Sequence, residues 1–255
     1  MSVAKKGKVV ASIEARVGST RLPAKVLREI MGRPMLELMI ERVKKAKHID
    51  EIIVATSVNP KDDVLEELAL RMGVKCYRGS EEDVLSRVLE AVKSVAGDHI
   101  VEMWGDTPLI DPAIIDDAVR YYQENDFDCV GTDKGYPWGM SMLIFSTTIL
   151  NEVHRITNDP VDRENVSTYI NWHPEKYKLA KCPCPFHLRR PEIRLTVDEL
   201  ADFELVKSIF EHFGPGNIFF DTIAIIKFLD ERPDIKGLNK DVKQKVYKPS
   251  VTKSR

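Results

Sequence analysis

Short β-branched apolar runs alternate with amphipathic stretches through the first half of the chain. "KVVASIE" (8–14) is brief and rich in Val and Ile, which predicts a buried strand. In "PMLELMIERVKKAK" the residues Met35, Leu36, Met39, Ile40 and Val43 fall on one helical stripe. "EIIVATS" predicts a second strand. Asn59 and Pro60 are a cap and a first helical residue, and Gly73 closes that helix. "VKCYRG" is a third strand, after which Ser80 and Asp83 resemble a capping box opening a helix to about Val95. "HIVEMW" and "DCVGT" are the fourth and fifth strands, separated by a helix that starts at the "DP" of 111–112. This rhythm predicts βαβ units and a largely parallel sheet covered on both faces.

The second half is less regular. "MSMLIFS" and "EIRLTV" read as strands and residues 162–172 as a helix. "DELADFELVKSIFEHFG" sets Leu200, Phe203, Val206, Ile209, Phe210 and Phe213 on one apolar face ending at Gly214. Residues 239–255 are basic with little large apolar content, so a loose tail is expected there. The preceding 238 residues read as a single domain, with a nucleotide-binding part to about residue 135 and an acceptor and dimer part from 136.

Charge narrows the choice of partner. Among 255 residues, 38 basic and 40 acidic side chains leave a net charge of −2, so no global field draws nucleic acid or an anionic membrane. Lys5, Lys6 and Lys8 precede an apolar stretch too short for a signal region or a span, and a cytoplasmic protein is expected. Cys182 and Cys184, two apart in "KCPCPF", fit neither the common zinc spacing nor a redox pair.

Against that neutral background one loop stands out. "ARVGSTRLPAKVL" (15–27) carries Arg16, Arg21 and Lys25 around Gly18 and Ser19, with no acid between Glu14 and Glu29. It follows the first strand, and open α/β sheets bind ligands beyond the carboxyl ends of their strands. Gly18 permits backbone shapes that let successive N–H groups face one anion, while Arg16 and Lys25 neutralise phosphate oxygens. Neither GxxxxGK[ST] nor GxGxxG is present.

Two carboxylates are candidate partners. Asp106, in "WGDTPLIDP" after the fourth strand, either closes a turn before Pro108 or holds a divalent cation beside the phosphates. Asp198, in "IRLTVDE", is a second such ligand, although Thr196 with Glu199, or Asp198 itself, is also suited to capping the next helix.

Together "ARVGSTRLPAKVL", "GRPMLELMIERV", "YRGSEEDVLSRVLEAV", "GDTPLIDP", "DRENVSTYI" and "IRLTVDELADFELV" resemble the cytidylyltransferases that activate acidic sugars, and most of all the spore coat polysaccharide branch. The resemblance implies a Rossmann-like, glycosyltransferase-A-like α/β fold, CTP as substrate, Mg²⁺ and a homodimer. By position it implies a triphosphate loop of Ala15, Arg16, Gly18, Ser19 and Lys25, metal ligands Asp106 and Asp198, and an approach to the nucleoside by Arg78, Gly79 and Ser80. Asp83 and Arg87 also match, either there or as a lock between helix and loop. The chain departs from the pattern at Trp104, where sugar-acid members often carry Gln, and near Glu102, where spore-coat relatives tend to be basic; both positions bear on base and acceptor.

The expected reaction is transfer of CMP to an acidic sugar or related acceptor, with Lys25, Arg16 and Asp106 catalytic. Tyr136 and Trp138, on the Gly/Pro-rich "KGYPWGMS", suit either an acceptor wall or loop packing. Arg163 suits either an acceptor carboxylate or a pair with Glu164 or an acid on the next turn. A metal-dependent glycosyltransferase is the main rival, but "GDTP" lacks the second aspartate two residues on that a DxD pair needs. The residues are also compatible with a nucleotide sensor, or with the same chemistry on another nucleotide or a non-sugar acceptor.

Overall fold

The computed structural model describes residues 5–214 and 216–244. Among the described residues nine strands form: β1 (Val9–Glu14), β2 (Glu29–Ile30), β3 (Arg33–Pro34), β4 (Glu51–Ser57), β5 (Lys75–Gly79), β6 (His99–Trp104), β7 (Cys129–Thr132), β8 (Leu143–Ser146) and β9 (Leu179–Cys182). Seven of them make one sheet in the order β5-β4-β1-β6-β8-β7-β9, while β2 and β3 pair separately. From β5 to β6 every pairing is parallel; β8 runs antiparallel between β6 and β7, and β9 is parallel to β7. The result is a mixed, mainly parallel sheet with helices on both faces.

Alternation along the strands sorts the core into two layers. Val9, Ala11 and Ile13 of β1 join Val101 and Met103 of β6 in one cluster. Helices α1 (Met35–Val43), α2 (Asp63–Arg71), α4 (Pro112–Glu124), α8 (Leu200–Phe213) and α9 (Thr222–Glu231) cover that face. Val10 and Ile100 face the other way, against α3 (Val84–Ser94), α5 (Thr147–Ile156) and α7 (Thr168–Trp172). Two short helices, α6 (Pro160–Glu164) and α10 (Pro233–Lys236), complete the set. Among the described residues no helix is long and apolar enough to cross a membrane.

Three expectations change. The segment 162–172 is not one helix but α6 and α7, because Asn165 turns its side-chain amide back onto Val161 O (2.9 Å) and leaves helical geometry at φ −125°, ψ 90°. "EIRLTV" is not a strand of the sheet. It runs over the strand ends, making one bridge between Trp138 and Arg194, while the unpredicted "LAKC" supplies the edge strand β9. Residues 239–244 are not a loose tail: Asn239 is buried and donates to Arg194 O (3.0 Å) and Asp202 Oδ1 (2.8 Å). Residues 245–255 of the expected tail lie outside the described residues.

Candidate active site

The loop after β1 is pinned from within. Val17 N donates to the buried Asp62 (2.7 Å), Ala24 N returns to Val17 O (3.2 Å), and Leu22 and Val26 are buried beneath it. Its left-handed residue is Ala24 (φ 52°), whereas Gly18 has an ordinary φ and room for a Cβ. Gly18 therefore does not supply the bend expected of it. The charged side chains are left to project into the space above β1 and β6.

Asp106 reaches the same space. The turn after β6 is closed by Thr107, which donates through N (3.1 Å) and Oγ1 (2.8 Å) to Trp104 O, so the Asp106 carboxylate is not the turn's own cap. Gly105 lets the turn lie close against β1, since a Cβ there would stand a tight 3.1 Å from Glu14 O. Asp106 O accepts from Val197 N (2.8 Å), tying this turn to the segment that carries Asp198.

Asp198 is likewise not the helix cap. Glu199 caps α8 and forms a capping box with Asp202. Asp202, fully buried, also accepts from Asp198 N (2.9 Å), Arg194 Nε (3.0 Å) and Asn239. The Asp198 carboxylate is free to face the cleft and collects three cations: Arg21 at 2.7 Å, Arg194 at 2.8 Å and Lys25 at 3.1 Å. Lys25 Nζ lies 2.7 Å from Asp106 Oδ2 and donates to Val197 O (2.9 Å). Burial works against ionisation of both partners. For Lys25 it is outweighed by Asp106 and Asp198, which raise the ammonium; for Asp198 it is outweighed by Lys25, Arg21 and Arg194, which hold it below its ordinary value.

These residues border a cleft of about 780 Å³. Ala15, Arg16, Gly18, Ser19, Lys25, Asp106, Trp138 and Asp198 all line it. Arg16 stands half exposed at the rim, 4.0 Å from Glu81. The remaining candidates are engaged elsewhere. Arg78 binds Asp63 (2.6 Å), Glu66 (3.3 Å) and the carbonyls of Ser57 and Asn59, so it braces β4 and β5. Gly79 packs on Arg87 and Ser80 Oγ accepts from Asp83 N, neither lining the cleft. Tyr136 is buried with its hydroxyl on Pro183 O. Arg163 pairs neither with Glu164 nor along its own helix; it joins Asp83 (3.2 Å) and His154.

The local sequence does not single out Arg194 and Asp202, the contact of Arg21 with Asp198, or Glu14, and it marks Glu102 only as a departure from the family pattern, not as one of two acids in the cleft floor. Arg194, Asp198 and Asp202 recur every four residues, a spacing that signals mutual contact on a helix, but Arg194 and Asp198 precede α8. Burial holds the Glu102 carboxyl up, at about 7 against an ordinary 4.5, while its contacts with Ser167 and Glu14 pull the other way. A folded-state value above the unfolded one means a stabilising proton, present in full below pH 4.5 and lost as pH rises through about 7. That contribution is on the order of 3 kcal/mol. Denaturant titrations are expected to show the wild type losing more stability than Glu102→Gln between about pH 5 and 8; parallel profiles would refute it.

Among the described residues no group of three or more His, Cys, Asp and Glu side chains makes a self-sufficient metal site. Two carboxylates that already share one cation, Lys25, suit a divalent ion whose remaining positions are filled by ligand oxygens and water.

Residues 10–223 match the family described as cytidylyltransferase. The chain is 40% identical over 241 residues to the uncharacterized protein MJ1063 of Methanocaldococcus jannaschii, covering 94% of this chain and 98% of that one. With the spore coat polysaccharide biosynthesis protein SpsF of Bacillus subtilis it shares 32% identity over 233 residues, 87% and 94% of the two chains. The solved structure of a cytidylyltransferase from Leptospira borgpetersenii superimposes with a TM-score of 0.83 at 31% identity, covering 94% of this chain and 99% of that one. A match this long, in a fold whose strand ends bring the cationic loop and both aspartates to one cleft, makes this chain a member of the cytidylyltransferase family.

Proposed function

We propose that the protein transfers CMP from CTP to a hydroxyl of a small, sugar-like acceptor and releases pyrophosphate. The observation that carries this reading is the meeting of Lys25, Asp106 and Asp198, from three distant parts of the sequence, in one cleft. The acceptor oxygen forms a bond to the α-phosphorus, the bond to the bridging oxygen breaks, and the hydroxyl proton is released. Such chemistry needs positioning and charge neutralisation rather than a covalent enzyme intermediate.

Lys25 is central to this reaction. Without phosphate its ammonium neutralises both aspartates; with CTP its charge is redirected to the triphosphate, beside Arg16 and Arg21. Asp106 and Asp198 would hold Mg²⁺, which when bound supplies neutralisation of the phosphate charge and polarisation at the α-phosphate. Of the three acceptor candidates, Trp138 is the one at the cleft, 49% exposed and suited to form its wall. Gly139 beside it has φ 111° and would drive a Cβ to within 2.8 Å of the 195–196 backbone, so the Trp138 loop lies tight against the Asp198 segment.

Thermal denaturation with CTP, UTP, GTP or ATP, each with Mg²⁺, tests the reading. CTP at a hundred times its Kd is expected to stabilise the fold by about 2.7 kcal/mol, well beyond the other three. Pyrophosphate release on adding an accepting alcohol is the chemical counterpart. Equal responses to all four nucleotides, or release of nucleoside diphosphate instead, would overturn it.

A further inference from the structure

The floor of the cleft holds a group of polar atoms to which the proposed transfer assigns no role. Glu14 ends β1, and Glu102 lies on the neighbouring β6, where the register sets Ser12 opposite Glu102 and Glu14 opposite Trp104. Ser12, Glu14 and Glu102 therefore share the face whose deeper positions, Val10 and Ile100, pack against α3. Along β1 that face changes from apolar to acidic as it reaches the cleft.

Glu102 is only 2% exposed, yet it is among the residues that line the cleft. Ser167 and Glu14 approach it, and burial of the two acids favours one proton shared between them. Glu102 Oε2, Glu14 Oε1 and Ser12 Oγ are all buried without a hydrogen-bond partner. A buried acceptor left unpaired is unfavourable, and two on adjoining carboxyls call for a donor from the cleft side.

The surrounding charges narrow what that donor is. Arg87 of α3 reaches this end of the cleft and its charge acts on Glu14, but its Nη1 donates to Ser80 O (2.6 Å) and Glu81 O (3.4 Å), and its Nε is buried without a partner, so it satisfies neither carboxyl. Arg16 stands at the rim beside Glu81, and Glu164 of α6 adds an exposed third acid. A carboxylate lodged against Glu14 and Glu102 would set acceptors against acceptors and bring like charges together. A hydroxyl offers one donor. An ammonium offers three donors, no acceptor and the complementary charge.

We propose that Glu14 and Glu102 form a subsite for an amino group on the acceptor, so that the acceptor class is amine-bearing rather than acidic. The proposal rests on the cytidylyltransferase reading for its second substrate, but the subsite is defined by the two glutamates alone. It replaces the acidic sugar implied by the sequence resemblance with an amino sugar or a comparable amino alcohol.

Thermal-shift titrations of the full chain with Mg²⁺ and CTP present, using glucosamine, glucose and glucuronate as probes, test it. Glucosamine is expected to half-saturate at a concentration at least tenfold below that of glucose, with glucuronate the weakest of the three. In Glu102→Gln that preference is expected to fall below tenfold, while the shift induced by CTP shows that the variant is folded. Glu14→Gln, read in the same way, serves as the second variant. Glucuronate binding as well as glucosamine, a wild-type preference under tenfold, or a tenfold preference surviving in both variants would each overturn the proposal. An amine preference without any response to CTP would support the subsite and overturn the nucleotide assignment instead.

Discussion

Lys25→Ala and Asp106→Asn are each expected to lower turnover by on the order of 10²-fold or more while the fold survives. The reason is electrostatic. Lys25 has a side chain only 15% exposed and is oriented by three acceptors, so its charge is positioned before substrate arrives. Pre-oriented charge in a partly desolvated site requires no reorganisation during reaction and is little screened. Asn at 106 keeps the shape of the turn, because Thr107 closes it, and removes only the negative charge. Alanine at 25 leaves Asp198 paired with Arg21 and Arg194, which protects that segment from an uncompensated buried carboxylate. Two measurements check this: pyrophosphate release with an accepting alcohol, and the rise in Tm on adding Mg²⁺ and CTP. Near-normal turnover in both folded variants would remove Lys25 and Asp106 from the mechanism.

The second large effect concerns stability. Arg42 in α1 is completely buried and donates to four main-chain carbonyls: Ile110 (3.0 Å), Leu109 (3.2 Å), Phe220 (3.0 Å) and Ile218. Burial lowers its guanidinium to about 10, against which Asp111 and Asp221 act, so it remains charged at neutral pH. It joins the segment just after Asp106 to the segment between α8 and α9. Arg42→Met fills much of the volume but leaves four carbonyls without donors, and a loss of about 3–5 kcal/mol is expected. For a domain stabilised by about 5–15 kcal/mol this is a large fraction. Urea denaturation checks it, with a decrease below about 1 kcal/mol counting against the assignment. Arg42→Lys, which restores charge but not the planar fork, is expected to fall between the two.

Much of the parallel half of the fold is readable along the chain. β1, β4 and β6 are short, mainly apolar runs, and Asn59, Asp83 and Asp111 cap the helical turns that follow β4, β5 and β6. These signals are local: a β-branched run and a side chain bonding a backbone N–H two or three residues on need no distant partner. β9 and the course of "EIRLTV" escape such reading because their hydrogen bonds go to residues far away, to β7 in one case and to the Trp138 loop and Asp106 in the other. Nothing in their own composition distinguishes a sheet edge from a segment crossing the strand ends.

The site divides in the same way. By itself, the sequence determined which side chains are candidates for an anion site: a cationic loop free of acids after one strand, and an aspartate after another. Tertiary structure alone decided which of them meet. It drew Lys25 between Asp106 and Asp198, turned Arg78 and Arg163 onto structural carboxylates, and placed Glu14 beside Glu102 across two adjacent strands. Residue type is a property of the chain, whereas the partner of a charge depends on separation and burial in space, and those arise only when the strands take their order in the sheet.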